Sequence, residues 1–379
     1  MHVTTAVGMA RQATADGHNF SGHARPCHHV VPVRDRLTLT PRAYARVTYV
    51  ALAALGLIVL TGAGVRLTGS GLGCPNWPKC GASYIAPLET HAVIEYGNRL
   101  LSGLVGLVVM AAGLLAWRRR PFRRDLAVLG VLPALGVLGQ GVLGGLTVEF
   151  GLKPGFVMAH FGLSMLLLVA AFALAWRATY ERGERPRATD AVSVWAGRAL
   201  LGFGAVVIFV GTVATAAGPH AGGSGTDDVV DRLMFKGTET LLWTIRSHAR
   251  LAGALGVAAV AVWFLLRSRG ADRQTRRAVT VLAFSLAAQG VTGTIQYHLL
   301  NLPPEVVWVH VVGASVAWLS LLWAVAATGR LRAKPSASPV LTGEQAVKTE
   351  PSRPGVASGA DAAYERELTA SRRDPGRGT

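Results

Sequence analysis

"LGQGVLGGLTV", residues 138–148, returns as "AAQGVTGTIQY", residues 287–297, and lays Gln140 and Gly141 on Gln289 and Gly290 at an offset of 149. The segments that follow keep step: "LKPGFVMAHFGLS" at 152–164 and "LPPEVVWVHVVGAS" at 302–315 set His160 against His310 at an offset of 150. The same offset carries Gly103 onto Gly253, Gly106 onto Gly256 and Asn98 onto His248. Self-similarity held over so long a period means that the chain is a duplicated unit.

The repeated unit is apolar. Of 379 residues, 51% are hydrophobic and 16% charged, and the apolar residues gather in long blocks near 45–66, 92–117, 125–147, 156–177, 194–217, 240–267, 278–297 and 305–327. Each approaches the roughly 20 residues that a helix needs to cross hydrocarbon. The fold class expected is therefore an all-α integral membrane protein, eight transmembrane helices arranged as two tandem four-helix bundles. The first block follows some forty polar residues with no clear small-residue cleavage site, so it is expected to be a retained span and not a removable signal.

The net charge of +17 would point to nucleic acid in a soluble protein, but its placement argues otherwise. Arg118, Arg119, Arg120, Arg123 and Arg124 follow the second block, Arg177, Arg182, Arg185 and Arg187 the fourth, and Arg267, Arg269, Arg273, Arg276 and Arg277 the sixth. The other connections are nearly free of Arg and Lys. The positive-inside rule then puts both termini in the cytoplasm and the loops around 67–91, 148–155, 218–239 and 298–304 outside, in a cell membrane. No nucleic-acid partner is expected; membrane lipid is. The domain division is 1–43 as a disordered tail, 44–180 and 190–328 as the two four-helix units, and 329–379 as a second disordered tail. Cys27, His28 and His29 lie in the first tail and are read as incidental.

Equal spacing inside the repeat gives the site. His248 and His310 are 62 residues apart, as are Asn98 and His160. Each pair falls on the second and fourth helices of its unit, and at about 1.5 Å rise per residue both members sit roughly 8–12 Å below the outer boundary. Two imidazoles facing each other at one depth from neighbouring helices are what a haem iron takes as axial ligands. Arg246 and Arg250 flank His248 and would serve a haem propionate or the lipid headgroups. His220 and His298 fall in or beside outer loops.

In "GLGCPNWPKCGASYIAPLETHAVIEYGNRLLSG", 71–103, Cys74 and Cys80 stand in an outer loop, where disulfides persist. A disulfide is the favoured state, its role either a structural staple or a thiol relay. Zinc is poorly supported for want of a second ligand pair, and the Cys-x-x-Cys-His of c-type haem attachment is absent. Glu95, Asn98 and Arg99 share one helix face. A carboxylate so near hydrocarbon is costly, which points to function for Glu95 beside whatever lies between the second and fourth helices.

Together, "VRLTGSGLGCPNWPKC", "IEYGNRLLSG", "QGVLGGLTV", "GPHAG" and "QGVTGTIQYHLLNLP" with the His160 and His310 segments resemble the haem A synthase family over about residues 45–327. The resemblance implies an enzyme that oxidises the C8 methyl of haem O to the formyl of haem A. It implies a haem b cofactor on His248 and His310, and the substrate haem O in the N-terminal half with His160 as one ligand. It also matches Glu95 to an essential carboxylate and Cys74 with Cys80 to an outer cysteine pair. Its implied partners are haem O, with haem O synthase as the enzyme that would deliver it, and an electron acceptor; a homo-oligomer is compatible with the resemblance. Asn98 departs from the family, whose relatives often carry His there. His160 alone or with water would then hold the substrate iron, with His91, two turns earlier, as a further candidate. A di-haem b-type electron-transfer protein and a transporter built on parallel repeats are the competing classes.

Overall fold

The computed structural model describes residues 38–331 except 187, 189, 300 and 301. Eight long helices follow in order: α1 (Pro41–Leu67), α2 (Thr90–Leu115), α3 (Arg124–Glu149), α4 (Pro154–Thr179), α5 (Ala191–Ala217), α6 (Thr240–Ser268), α7 (Arg273–His298) and α8 (Pro304–Ala327). A four-residue strand, β1 (Phe235–Thr238), interrupts the outer loop before α6. All eight helices are long and apolar enough to cross a membrane. Large side chains along them stay uncovered, Leu114 at 68% and Phe284 at 74% exposure among them. Such a belt would be untenable in water and is the expected outer surface in lipid, where each helix satisfies its own backbone. The protein is a multi-pass membrane protein.

The helix ends have local causes. Pro41, Pro154 and Pro304 open α1, α4 and α8, where the missing N–H costs nothing. Thr40 Oγ1 accepts from Ala43 N (3.2 Å), Asp190 Oδ1 from Ser193 N (2.8 Å) and Asp272 Oδ1 from Thr275 N (2.7 Å), each relieving an otherwise unpaired amide in a first turn. These caps start α1, α5 and α7 a few residues before the apolar blocks begin. Residues 38–43, read from sequence as tail, are ordered by the same device and by Leu39, which pairs with Arg118 O and Arg120 N at 2.9 Å. The rest of both expected tails, 1–37 and 332–379, lies outside the described residues, and so do Cys27, His28 and His29.

Within the first half α2 packs on α1 and α3, and α4 on α3 and α1; α5 to α8 repeat this square. Sequence spacing led to imidazoles on neighbouring helices, and here the structure differs. α2 does not pack against α4, nor α6 against α8. In an up-and-down bundle the sequential, antiparallel helices are adjacent, which leaves the two parallel ones diagonal, with the bundle centre between them. The halves meet through α1 and α4 on one side and α5 and α8 on the other. One core runs through the seam, with Leu52, Leu55, Met165 and Leu168 against Leu200, Trp318 and Leu321. Indole N–H groups tie it: Trp318 Nε1 donates to Met165 O (3.2 Å) and Trp308 Nε1 to Leu60 O (3.0 Å). At the outer end Arg66 Nη2 donates to Thr215 O (2.9 Å) and Gly71 N to Gly222 O (2.7 Å).

Trp318→Ala should leave a void at this seam. In lipid the lost packing outweighs any transfer term, so the expected cost is about 2–3 kcal/mol, seen as a lower thermal midpoint in detergent. Trp318→Phe should lower it by less.

Candidate functional site

In the C-terminal half, α6 carries His248 and α8 carries His310. Their ring centroids are 6.2 Å apart and their planes cross at 76°. Two imidazoles this close could both serve one metal ion. Among the described residues no group of three or more His, Cys, Asp or Glu gathers; two donors are what a porphyrin-bound iron leaves to the protein.

Ring orientation fits as well. His248 Nδ1 lies 3.1 Å from Val207 O on α5, and a backbone carbonyl can only accept. Nδ1 therefore carries the proton and Nε2 keeps its lone pair for a metal. Gly211, one turn after Val207, makes the approach feasible, since a Cβ there would stand 2.8 Å from His248 Cε1. His310 Nδ1 lies 3.2 Å from Thr292 Oγ1 on α7. Arg246 and Arg250 are exposed near His248 and make no hydrogen bond or ion pair among the described residues, so both guanidinium groups remain free for an anionic group near the start of α6.

The N-terminal half repeats part of this plan. Gly144 faces His160, where a Cβ would lie 3.2 Å from Cε1, as Gly293 faces His310 at 3.4 Å. Gln140 Nε2 donates to His160 O (3.0 Å), and the Gln289 amide lies 3.1 Å from His310 O. What differs is satisfaction. His160 Nδ1, Gln140 Oε1 and Asn98 Oδ1 are all buried without a hydrogen-bond partner. Unpaired polar atoms in hydrocarbon are costly, and these three are polar groups that a bound ligand could satisfy.

Above this half lies the cysteine loop. Cys74 and Cys80 form a disulfide, and both are buried against Ala92 of α2. Glu95 Oε2 accepts from Cys74 N (2.7 Å), and Glu95 Oε1 is ion-paired with Arg99. Arg99 also donates to Asn76 O (2.9 Å), Lys79 O (3.0 Å) and Cys74 O (3.1 Å). Trp77 N donates to Glu149 Oε1 at the end of α3 (2.8 Å), and the indole lies on Gly145, where a Cβ would come within 2.8 Å. Glu95 is buried, as its expected role requires, but both its oxygens are engaged upward with the loop and Arg99. His91 is committed elsewhere: its Nδ1 lies 2.8 Å from Ser70 Oγ and its ring packs on Gly225 of the other half. His220 Nε2 lies 2.7 Å from Leu302 O, and His298 is exposed on the outer surface. The residues that sequence reasoning missed are the neighbours: Arg99 as collector of loop carbonyls, Val207, Thr292 and Glu149.

Residues 45–322 match the family described as COX15-CtaA, cytochrome oxidase assembly protein. Curated relatives named Heme A synthase include one from Bacillus licheniformis, 31% identical over 122 residues that cover 32% of this chain and 40% of the relative. Another, from Alkalihalophilus pseudofirmus, is 35% identical over 31% of this chain and 40% of its own length. One from Halalkalibacterium halodurans is 34% identical over 35% of this chain and 46% of its own. The matched part thus spans less than half the length of each of these relatives.

Arg99→Leu should release the loop. Reduction of the Cys74–Cys80 bond by dithiothreitol, followed by thiol labelling, should then run about tenfold faster. Arg99→Lys should restore little, because one ammonium cannot reach three carbonyls and a carboxylate at once.

Proposed function

This chain belongs to the COX15-CtaA family of cytochrome oxidase assembly proteins, and from that premise we propose that it is a haem A synthase, oxidising the C8 methyl of haem O to a formyl group. The observation that carries the reading is the His248–His310 pair, 6.2 Å apart, in a chain whose relatives bear that name. The C-terminal unit, residues 190–328, would be the cofactor half, in which His248 and His310 would hold haem b and Arg246 and Arg250 would meet its propionates. The N-terminal unit, 44–180, would receive haem O, with His160 as the residue that would hold its iron and Asn98 offering no second imidazole. Bound haem b supplies one-electron redox chemistry. The protein's own part is to hold the two macrocycles apart at fixed depth, to keep water from them, and to place a carboxylate near the substrate.

Methyl to formyl requires two two-electron oxidations, each of which adds a hydroxyl from water and releases two protons, followed by loss of one water from the geminal diol; the four electrons pass to a redox acceptor outside the chain. Glu95 is the group proposed to take a proton or to face positive charge developing at the methyl carbon. Its partners set a condition. To accept a proton it must shed the Cys74 N–H or the Arg99 guanidinium, so loop and carboxylate act together. Both termini lie in the cytoplasm on the charge pattern, which sets the haem ends of α2, α4, α6 and α8 at the outer face. Haem O, delivered from within the membrane by the enzyme that makes it, is the partner that this arrangement serves.

The test is to express the chain in a bacterial host that supplies haem O and to extract the pigments. Haem A is expected; intact b-type absorbance with no haem A would assign the protein to membrane electron transfer instead. His248→Ala and His310→Ala should each abolish the b-type absorbance. Glu95→Gln should retain it and lower haem A yield by at least about tenfold, the lower part of the range for removing a general base. A normal yield would make Glu95 a support of the loop alone.

A further inference from the structure

At the end of the bundle opposite the cysteine loop, "RRDLAVLGVL" (123–132) opens α3. Residues 124, 128 and 132, with 125 and 129 beside them, share one face of that helix, and α4 packs next to it. A groove of about 430 Å³ lies there, lined by Arg124, Asp125, Val128, Leu129 and Leu132 of α3 and by Arg177 near the end of α4. Its charged residues stand at one end. From Arg124 the wall runs roughly 12 Å along α3 to Leu132, and it is apolar and uncovered, with Val128 at 61% and Leu132 at 55% exposure.

The acidic side chain on this groove is already engaged. Arg123, buried behind it, donates to both Asp125 oxygens, from Nε to Oδ1 (3.1 Å) and from Nη2 to Oδ2 (2.7 Å), and also to Arg177 O (3.2 Å). The Arg124 and Arg177 side chains make no hydrogen bond or ion pair among the described residues. Three guanidinium groups thus gather around one carboxylate. Nearby, Glu181 is ion-paired with Arg119. Partial burial, and then Arg330 and Arg177, hold the Arg185 guanidinium below its ordinary pKa, so positive potential extends past the groove. The second half lacks this clamp, since at the offset of 150 Arg177 falls on Ala327.

We propose that the groove between α3 and α4 binds an anionic phospholipid, its phosphate held by Arg124 and Arg177 and an acyl chain laid along Val128 and Leu132. Guanidinium forks match the oxygens of a phosphodiester. Basic pockets between membrane helices at the cytoplasmic surface take such headgroups, and the charge pattern assigns this end to the cytoplasm. A zwitterionic lipid fits less well, because its phosphate brings an ammonium for which the groove holds no free carboxylate. A free phosphate would leave the apolar wall bare. The inference goes beyond the haem reading and does not depend on it.

The test is native mass spectrometry of the full-length protein, stripped of lipid in detergent and titrated with phosphatidylglycerol. One lipid per chain should bind more tightly than all others. Arg124→Gln and Arg177→Gln should each weaken that binding about fivefold, the usual effect of one basic residue at an anionic lipid surface. Val128→Trp should weaken it too, by filling the groove, while Arg124→Lys should retain most of it. Arg118, exposed at the same end but outside the groove, is the control, and Arg118→Gln should leave the affinity unchanged. If Arg118→Gln costs as much as Arg124→Gln, the attraction is diffuse and the inference is overturned. It is equally overturned if phosphatidylcholine binds as tightly, or if inorganic phosphate at the same concentration displaces the lipid, which would make the occupant a free anion.

Discussion

A polar side chain within hydrocarbon has no water to fall back on, so each one is either bonded to the protein or set aside for something bound. That constraint sorts the buried polar groups of this bundle. Trp308 and Trp318 spend their indole N–H groups on backbone carbonyls across the seam, and Arg66 does the same with a guanidinium. His248 and His310 spend one ring nitrogen each on α5 and α7, and their rings lie 6.2 Å apart between centroids. Groups without a partner concentrate in the N-terminal half, at Asn98, Gln140 and His160.

The duplication explains why the sites share depth and framework, and its imperfections explain why they differ. Glutamine at 140 and 289, and glycine at 144 and 293, supply the same clearance and the same carbonyl contact to a fourth-helix histidine. Around that constant frame, His248 becomes Asn98, Thr292 becomes Leu143 and Ala314 becomes Ser164. The outer loop of the first half also gains a disulfide cover tied to α2 by Glu95 and Arg99 and to α3 by Glu149. Each change alters which polar groups the first half leaves bonded, and the disulfide loop covers that half at one end.

Much of this was legible in the sequence because hydropathy and repetition are one-dimensional signals. Eight blocks and an offset of 150 placed every helix to within a few residues and put the four site positions at matched depths. Spacing gives depth but not azimuth, so it could not show that α2 and α4 are diagonal. Arg99 could be placed on one helix face with Glu95; its reach to three loop carbonyls depends on how residues 74–80 fold back, which no local pattern encodes. Trp77 and Glu149 meet across 72 residues for the same reason. Thr292 did leave a trace, the single mismatch inside QGVLG and QGVTG, but its contact with His310 emerged only once α7 stood against α8. His91 shows the converse: helical periodicity placed it near the site face, and Ser70 claimed it.

The diagonal placement of the histidine-bearing helices has a consequence for assembly. Each diagonal pair is held at its distance by the two helices that flank it, α5 and α7 for α6 and α8. A flat, rigid group held by both histidines, as proposed above, would brace that square across its diagonal and draw all four helices together.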